Sequence, residues 1–374
     1  MNGVTGRMGS RQHLERSLVA IRDDGGLELA GGERLMPDPV LVGRDADKLR
    51  RLADDHGIER WSTDLAACLA DADDEVYFDA QLTGRRAEAV GAAIAAGKHV
   101  YCEKPSAPDL ATACELARAA EGARVKNGVV QDKLFLPGIQ KLKRLVDGGF
   151  FGRLLSVRGE FGYWVFDGES RPAQRPSWNY RKEDGGGIAL DMLSHWRYLV
   201  EGLFGPIRAV TARLVTHLDE RVDEDGRRYP VTADDTAYAL FELDDGVLVS
   251  LHSSWVFRVY RDDLLTLQVD GTHGSAVAGL HSCKAQSAAA TPTPVWNPDA
   301  PSDADYRSGW SEIPDDGPAA SAFRQQWELF LLHIVEGAPF PWDLREGAKG
   351  VQLAELAARS SLERRWLPVG ELPL

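Results

Sequence analysis

Cysteine is scarce. The four in 374 residues are Cys68, Cys102, Cys114 and Cys283, with no Cys-x-x-Cys pair and no metal-type clustering. Neither a disulfide framework nor a metal site is expected, and the thiols read as the reduced cysteines of a cytoplasmic protein. Long apolar runs are absent too. The N-terminus lacks an apolar core of signal-peptide length, and the apolar stretch near residue 190 is broken by Asp191, His195 and Arg197, so nothing reads as a membrane span. Positive charge is in deficit: 43 Lys and Arg against 57 Asp and Glu leave a formal charge of −14. That balance argues against a nucleic-acid backbone or an anionic membrane as the main partner. Repeats are missing, and low complexity is confined to an Ala/Thr/Pro-rich loop near 286–294.

One further absence is local. The chain opens MNGVTGRMG, in which Gly3, Gly6 and Gly9 are spaced like the loop that lets a pyrophosphate approach a backbone turn and a helix N-terminus. Such a loop follows a buried strand of about five residues. Here only Met1 and Asn2 precede it. The expectation is that the first strand is missing, Met1 being an internal methionine of a protein longer by about six to ten residues. The alternative is a stub of Met1 and Asn2, with a neighbouring segment or chain filling the gap.

What is present is a globular pattern: 44% hydrophobic and 27% charged residues, over a length that can hold two domains. Through residue 130, short apolar runs alternate with amphipathic stretches. Val40–Val42, Val76–Phe78, His99–Cys102 and Gly128–Val130 read as strands, and Asp47–His56, Arg85–Ala96 and Leu110–Ala120 as helices. This alternation predicts a parallel sheet with helices on both faces. After Gly148-Gly149 the pattern changes. Leu154–Trp164 and the segments 207–217, 236–243, 247–255, 264–270 and 274–280 read as strands joined by turn signals such as Asp245-Gly246, hence an antiparallel sheet. A helix from about Ile188 to Leu203 interrupts them, and the tail from Ala320 is mostly helical. The fold expected is α/β followed by α+β: a Rossmann-type parallel-sheet domain over 1–150, then a domain with a large open, mainly antiparallel sheet over 151–374, to which the family resemblance below assigns substrate binding and oligomerisation. Its C-terminal helices are expected to pack back on the first domain.

Two segments carry chemistry. In KHVYCEKPSA, Glu103, Lys104 and Pro105 stand at the carboxyl end of a parallel strand, where open α/β sheets bind ligands. A lysine there can hydrogen-bond a substrate hydroxyl or stabilise an alkoxide; the alternative is a solvated surface lysine. In EDGGGIALDMLSHWRYLVEGLFG, Gly185 to Gly187 let a backbone approach a ligand closely, and Asp191 and His195 stand at i and i+4 on one helical face. A carboxylate beside an imidazole can fix its tautomer and raise its basicity, which suits a general base, or can be a buried structural pair.

Together, a dinucleotide-type first domain, an EKP strand end and GGG-x₃-D-x₃-H opening a helix in a β-rich second domain resemble the Gfo/Idh/MocA oxidoreductases. The resemblance covers essentially the whole chain. It implies hydride transfer between a nicotinamide and a carbinol carbon of a sugar, sugar derivative or cyclitol. It places Lys104 at the reacting hydroxyl, makes His195 the acid/base and has Asp191 orient substrate and histidine. It further implies a cofactor site at Gly3, Thr5, Gly6, Arg7, Met8, Gly43, Arg44, Thr83, Glu103 and Lys104, and a homodimer or homotetramer formed through the open sheet. The chain departs from the family pattern in FDAQLTGRR, which keeps Thr83 but lacks the family's proline and histidine; Gln81 is the other contact considered there. Relatives on this fold also include NAD-dependent glycosidases and non-catalytic dinucleotide-binding regulators. Lys104, Asp191 and His195 together argue against the regulator.

Cofactor choice is read in VLVGRDADK. Gly43 and Arg44 stand where an acidic residue would bind ribose hydroxyls, and a guanidinium suits a 2′-phosphate, so the reading is NADP. Asp45 keeps open an NAD enzyme in which Arg44 stacks on adenine. For the substrate, the stretch from Glu160 to Gly187 is dense in aromatic and polar groups. Trp164, Trp178 and Tyr180 could face a sugar ring, Arg175 and Asn179 could bind its hydroxyls, and Lys133 could reach the pocket. The alternatives are packing for the aromatics and a salt bridge for Lys133.

Overall fold

The computed structural model describes residues 1–164, 168, 175–294, 297–301, 304–317 and 321–374. In its first part, short apolar runs form β1 (Leu41–Val42), β2 (Trp61–Ser62), β3 (Val76–Asp79), β4 (His99–Cys102) and β5 (Asn127–Val129). β1 pairs with β2, and β4 lies between β3 and β5, every pair parallel. Parallel strands need crossover connections, and helices supply them while burying both sheet faces. These are α1 (Met8–Val19, continued by Ala20–Asp23), α2 (Ala46–Asp55), α3 (Thr83–Ala95) and α4 (Leu110–Ala123). Asp45 and Asp109 cap α2 and α4, each carboxylate accepting a backbone N–H three residues on.

Between β1 and β3 lie Met1 and Asn2. The Met1 ammonium donates to Val40 O, and the Val42 N–H to Met1 O, both at 2.8 Å. The Asn2 N–H donates to Phe78 O and the Ala80 N–H to Asn2 O, so Asn2 bridges both strands in parallel. The position expected for a first strand is thus held by these two residues' backbone. Next to them opens a cavity of about 570 Å³, lined by Leu18, Val42, Leu65, Leu69, Trp327 and Leu331 among others. Burial there lowers the Met1 ammonium pKa to about 6.

After α5 (Pro137–Asp147) the chain builds a nine-stranded sheet. Its strands are β6 (Leu154–Gly162), β7 (Ile207–Val215), β8 (Thr236–Leu243), β9 (Leu248–Ser254), β10 (Leu265–Gly271), β11 (Gly274–Ala278), β12 (Cys283–Ser287), β13 (Ser311–Glu312) and β14 (Leu367–Pro368). They lie in the order β13-β12-β11-β10-β6-β9-β8-β7-β14. Pairing is antiparallel except for β6 with β9. That parallel pair arises because the chain leaves β6 through the helix α6 (Ala189–Leu193, continued by Ser194–Phe204) and returns as the meander β7-β8-β9 beside it.

Two C-terminal helices, α7 (Ala322–Glu336) and α8 (Leu344–Glu363), tie the sheets together. Leu344, Ala348 and Val351 of α8 join the apolar core around β4 and α4, while Leu353, Ala354 and Ala357 join the core of the large sheet. Trp327, Phe330 and Leu331 of α7 pack with Leu18, Phe78 and Tyr101. The carboxyl end of β4 and the start of α6 are therefore held against each other by one continuous framework.

Candidate active site

The opening loop has the shape a pyrophosphate needs. Gly3 takes φ +75°, and a Cβ there would sit 2.8 Å from the backbone of Ala80 and Gln81; one on Gly9 would sit 2.7 Å from Gly3 O. At Gly6, by contrast, nothing but Gly3 O lies within van der Waals range, at 3.5 Å. Thr5, Gly6 and Arg7 are exposed at the tip, Met8 is half-buried, and the N-terminal N–H groups of α1 follow. Closely packed glycines below and open space above are the arrangement a dinucleotide loop requires.

Past β4 the chain runs into Glu103, Lys104 and Pro105, the Lys104–Pro105 peptide being cis. Two buttresses fix this turn. On one side buried Arg86 of α3 pairs with fully buried Asp79 at the end of β3, at 3.1 Å, and donates to the Gln81 and Pro105 carbonyls. On the other side, Trp327 Nε1–H donates to His13 Nδ1 at 3.0 Å, and His13 Nε2 lies 2.8 Å from Glu103 Oε1. Since Nδ1 accepts, this imidazole is neutral and its proton sits on Nε2, donated to Glu103. Burial pushes the Glu103 carboxyl up, but the His13 hydrogen bond and the cations Lys104 and Arg86 outweigh it and hold it below its ordinary value. The Glu103 carboxylate is thus engaged by His13 of α1 through Oε1 and by the Lys104 N–H through Oε2.

From the other sheet comes α6. Of its three preceding glycines, Gly186 and Gly187 make room for the protein itself, while Gly185 meets only Thr83, at 3.5 Å. A Cβ on Gly186 would sit 2.5 Å from the Trp178 and Asn179 carbonyls, and one on Gly187 (φ +115°) 2.8 Å from Asp234 Oδ1. Asp234 in turn accepts the Ala189 N–H at 2.7 Å, satisfying a donor at the start of the helix.

Lys104 Nζ lies 2.5 Å from Asp191 Oδ1 and 3.2 Å from the Asp191 carbonyl; Arg175 Nη2 lies 3.1 Å from Asp191 Oδ2. Burial raises the Asp191 carboxyl pKa, yet Lys104 and Arg175 together pull it well below the usual carboxylate range. No hydrogen bond joins Asp191 to His195, contrary to the i, i+4 expectation. The first turn of α6 is wound wide, with π-type spacing over Ala189–Leu193, so the 3.6-residue stacking of these positions is lost and Asp191 serves the two cations instead.

The partner of His195 is Tyr198. Its hydroxyl lies 2.6 Å from His195 Nδ1 and 3.4 Å from Asp132 Oδ1, and it accepts the Lys133 N–H at 3.1 Å. Asp132 also lies 3.7 Å from Nδ1 and pairs with Lys133 Nζ at 2.6 Å. Burial, then Lys104, Lys133 and Arg175, drive the His195 pKa well below its ordinary value. Tyr198 and Asp132 were missed in the sequence, although both lie in or beside segments that drew attention. Three residues beyond the histidine is a helical neighbour, and that spacing was the available signal. His13, Asp79 and Arg86 carried none.

Other expected site residues divide. Lys133 and Arg175 stand in the charge cluster. Asn179, buried, accepts from Arg175 and so orients the guanidinium. Tyr180 is fully buried, edge-on to Trp255 and under Arg221, so it is core and not a sugar platform. One face of Trp164 is covered by Arg258, and Trp178 is half-buried on a short 3₁₀ turn. Residues 165–167 and 169–174 of that loop lie outside the described residues. Thr83 is buried against Gly185, and half-buried Gln81 donates its side-chain amide to Asp79. Gly43 and Arg44 follow β1, with Arg44 exposed and making no ion pair among the described residues; the Asp45 carboxylate is spent on the α2 cap. No cluster of three or more His, Cys, Asp or Glu suited to a metal occurs among the described residues.

The chain thus combines a dinucleotide-type glycine loop in its first part with a contact between Lys104 at the end of β4 and Asp191 of α6, four residues before His195. The family comparison agrees: residues 39–130 match the oxidoreductase family with an NAD-binding Rossmann fold, and residues 139–277 match the GFO/IDH/MocA C-terminal domain. The chain belongs to the GFO/IDH/MocA oxidoreductase family and is an NAD-binding enzyme of it. It is 52% identical over 378 residues to D-xylose dehydrogenase of Paenarthrobacter nicotinovorans, covering 100% of this chain and 97% of that protein. Levoglucosan dehydrogenase of Pseudarthrobacter phenanthrenivorans is 28% identical over 245 residues, 59% of each. Among solved structures, a levoglucosan dehydrogenase complex with NADH and L-sorbose shares the fold, with TM-score 0.83 at 21% identity over 100% of this chain and 98% of that one. An oxidoreductase domain protein from Kribbella flavida superposes with TM-score 0.77 at 26% identity, over 90% and 92%.

Proposed function

We propose that the protein is a sugar dehydrogenase that oxidises a carbinol carbon of an aldose, D-xylose being the first substrate to test. The observation that carries this reading is the contact of Lys104, at the carboxyl edge of the Rossmann-type sheet, with Asp191 of α6, which sets one cationic donor beside His195. A bound nicotinamide dinucleotide supplies the hydride acceptor. The chain supplies the rest. The loop Gly3–Gly9 and the start of α1 hold the pyrophosphate. Lys104 donates to the reacting oxygen and stabilises negative charge there. Asp191, pinned by Arg175, keeps the ammonium in place and offers an acceptor to a neighbouring hydroxyl. His195 takes the hydroxyl proton, and its lowered pKa keeps it in the neutral, accepting form at pH 7.

On the cofactor, the reading is NADP: exposed Arg44 is available to a 2′-phosphate while Asp45 is committed to a helix cap. We read the enzyme as cytoplasmic, a reading supported by four cysteines that are all free. It is also read as a homo-oligomer, because the open face of the large sheet leaves Tyr238, Leu240 and Leu248 exposed on adjacent strands. The test is a screen of aldoses and cyclitols with NAD and NADP separately, reading reduced nicotinamide. Turnover of D-xylose is expected; failure of every sugar with both dinucleotides would overturn the proposal.

A further inference from the structure

The Tyr198 hydroxyl is a three-way junction whose protons can be placed. The Lys133 N–H, 3.1 Å away, can only donate to it; the Asp132 carboxylate, 3.4 Å away and paired with Lys133 Nζ, can only accept; His195 Nδ1, at 2.6 Å, can do either. One phenolic proton must be assigned. If it goes to Nδ1, the phenol oxygen turns a lone pair toward the Asp132 carboxylate and that contact is repulsive. If it goes to Asp132, then Nδ1–H donates to the phenol oxygen, and each group has a partner of the right kind. We infer that Tyr198 and Asp132 are positioning residues that hold His195 in the Nδ1–H tautomer, leaving the Nε2 lone pair as the proton acceptor of the reaction. This rests on the reading of His195 as the base.

Among the described residues, Nε2 makes no hydrogen bond, so the acceptor is not already occupied. When the carbinol C–H bond transfers its hydrogen and electron pair to the nicotinamide, the carbon becomes a carbonyl. The hydroxyl proton then forms the Nε2–H bond, giving an imidazolium. That cation arises where charge is contested. Lys104 from the end of β4, Lys133 from the turn after β5 and Arg175 from the loop before α6 oppose it. Asp132 answers them from 3.7 Å; Asp191 and Glu103 are engaged by Lys104, Arg175 and His13. Asp132, itself paired with Lys133 Nζ at 2.6 Å, is the carboxylate that the fold sets beside Nδ1 of the protonated base.

The test uses the full-length enzyme labelled with ¹⁵N-histidine, the His195 signals being those lost in His195→Gln. At neutral pH the wild type is expected to show a protonated Nδ1 and an unprotonated, pyridine-type Nε2. Tyr198→Phe and Asp132→Asn should each convert this to a tautomeric mixture and lower kcat, since either change removes the constraint that fixes the phenolic proton. Each loss should be roughly 10–10²-fold, as for a lost hydrogen bond to a charged group. Dinucleotide affinity and unfolding temperature should be retained, which a merely structural role for either residue would not predict. A protonated Nε2 in the wild type overturns the inference, and that spectrum decides even if a variant does not fold. Wild-type kcat and an unchanged tautomer in Tyr198→Phe also overturn it while leaving His195 as the base. Wild-type kcat in His195→Ala would instead overturn the reading on which the inference depends.

Discussion

His13 and His195 are both buried histidines, each with an aromatic partner and a carboxylate beside it, yet they do opposite work. His13 has Trp327 on Nδ1 and Glu103 on Nε2, so both nitrogens are spent and the imidazole is a strut between α1, α7 and the end of β4. His195 has Tyr198 and Asp132 on the Nδ1 side only, and three cations around it. An imidazole satisfied at both ends holds a fold together. One satisfied at a single end keeps a nitrogen free to take a proton.

Substitution is the way to break that comparison. The largest effect on rate is expected from His195→Ala and Lys104→Ala, each lowering turnover by roughly 10²–10⁴-fold, the range for a lost proton-transfer partner, with a folded protein by circular dichroism. Wild-type-like turnover in both would dissolve the site. His13→Ala should act on the other axis. It strands a buried carboxylate and an indole N–H and should lower stability by about 2–4 kcal/mol in denaturant titration. Its activity loss should appear only through the displaced Lys104; an unchanged unfolding midpoint would remove His13 from the scaffold.

Smaller effects sharpen the same contrast. Arg44→Ala should weaken NADP by about 1–3 kcal/mol, a lost charged hydrogen bond, and leave NAD untouched; equal weakening of both would return Arg44 to stacking or positioning. The pH profile should be the mildest signature. His195 must be neutral to accept a proton, and burial with three nearby cations lowers its pKa. The acid limb of kcat/KM should therefore fall well below pH 6.5, the ordinary histidine value, with a flat neutral region above it. A limb centred at or above 6.5 would mean that another group titrates.

The same contrast explains what the sequence could convey. Strand–helix alternation and turn dipeptides were legible because period and punctuation are local, so both sheets and α6 could be anticipated. Two-residue strands such as Trp61–Ser62 and Ser311–Glu312 carry no period and were invisible. Lys104 was legible as a lysine at the end of a parallel strand, Asp191 and His195 through their i, i+4 spacing, and the three as one set only through the family resemblance; their pairing was not legible. Asp191 turns to Lys104 from 87 residues away, a relation that a one-dimensional pattern does not contain. Tyr180 misled because aromatic density before a site reads as a platform, while burial shows it to be core. His13, Asp79 and Arg86 act only through tertiary contacts, so residue type alone said nothing of them.

Single-turnover hydride transfer to bound dinucleotide from saturating D-xylose, compared between wild type and His195→Ala by stopped-flow absorbance of reduced nicotinamide, tests the central claim most directly. The account predicts transfer slowed by roughly 10²-fold or more in the variant, with dinucleotide affinity unchanged. Transfer at the wild-type rate in His195→Ala would contradict it.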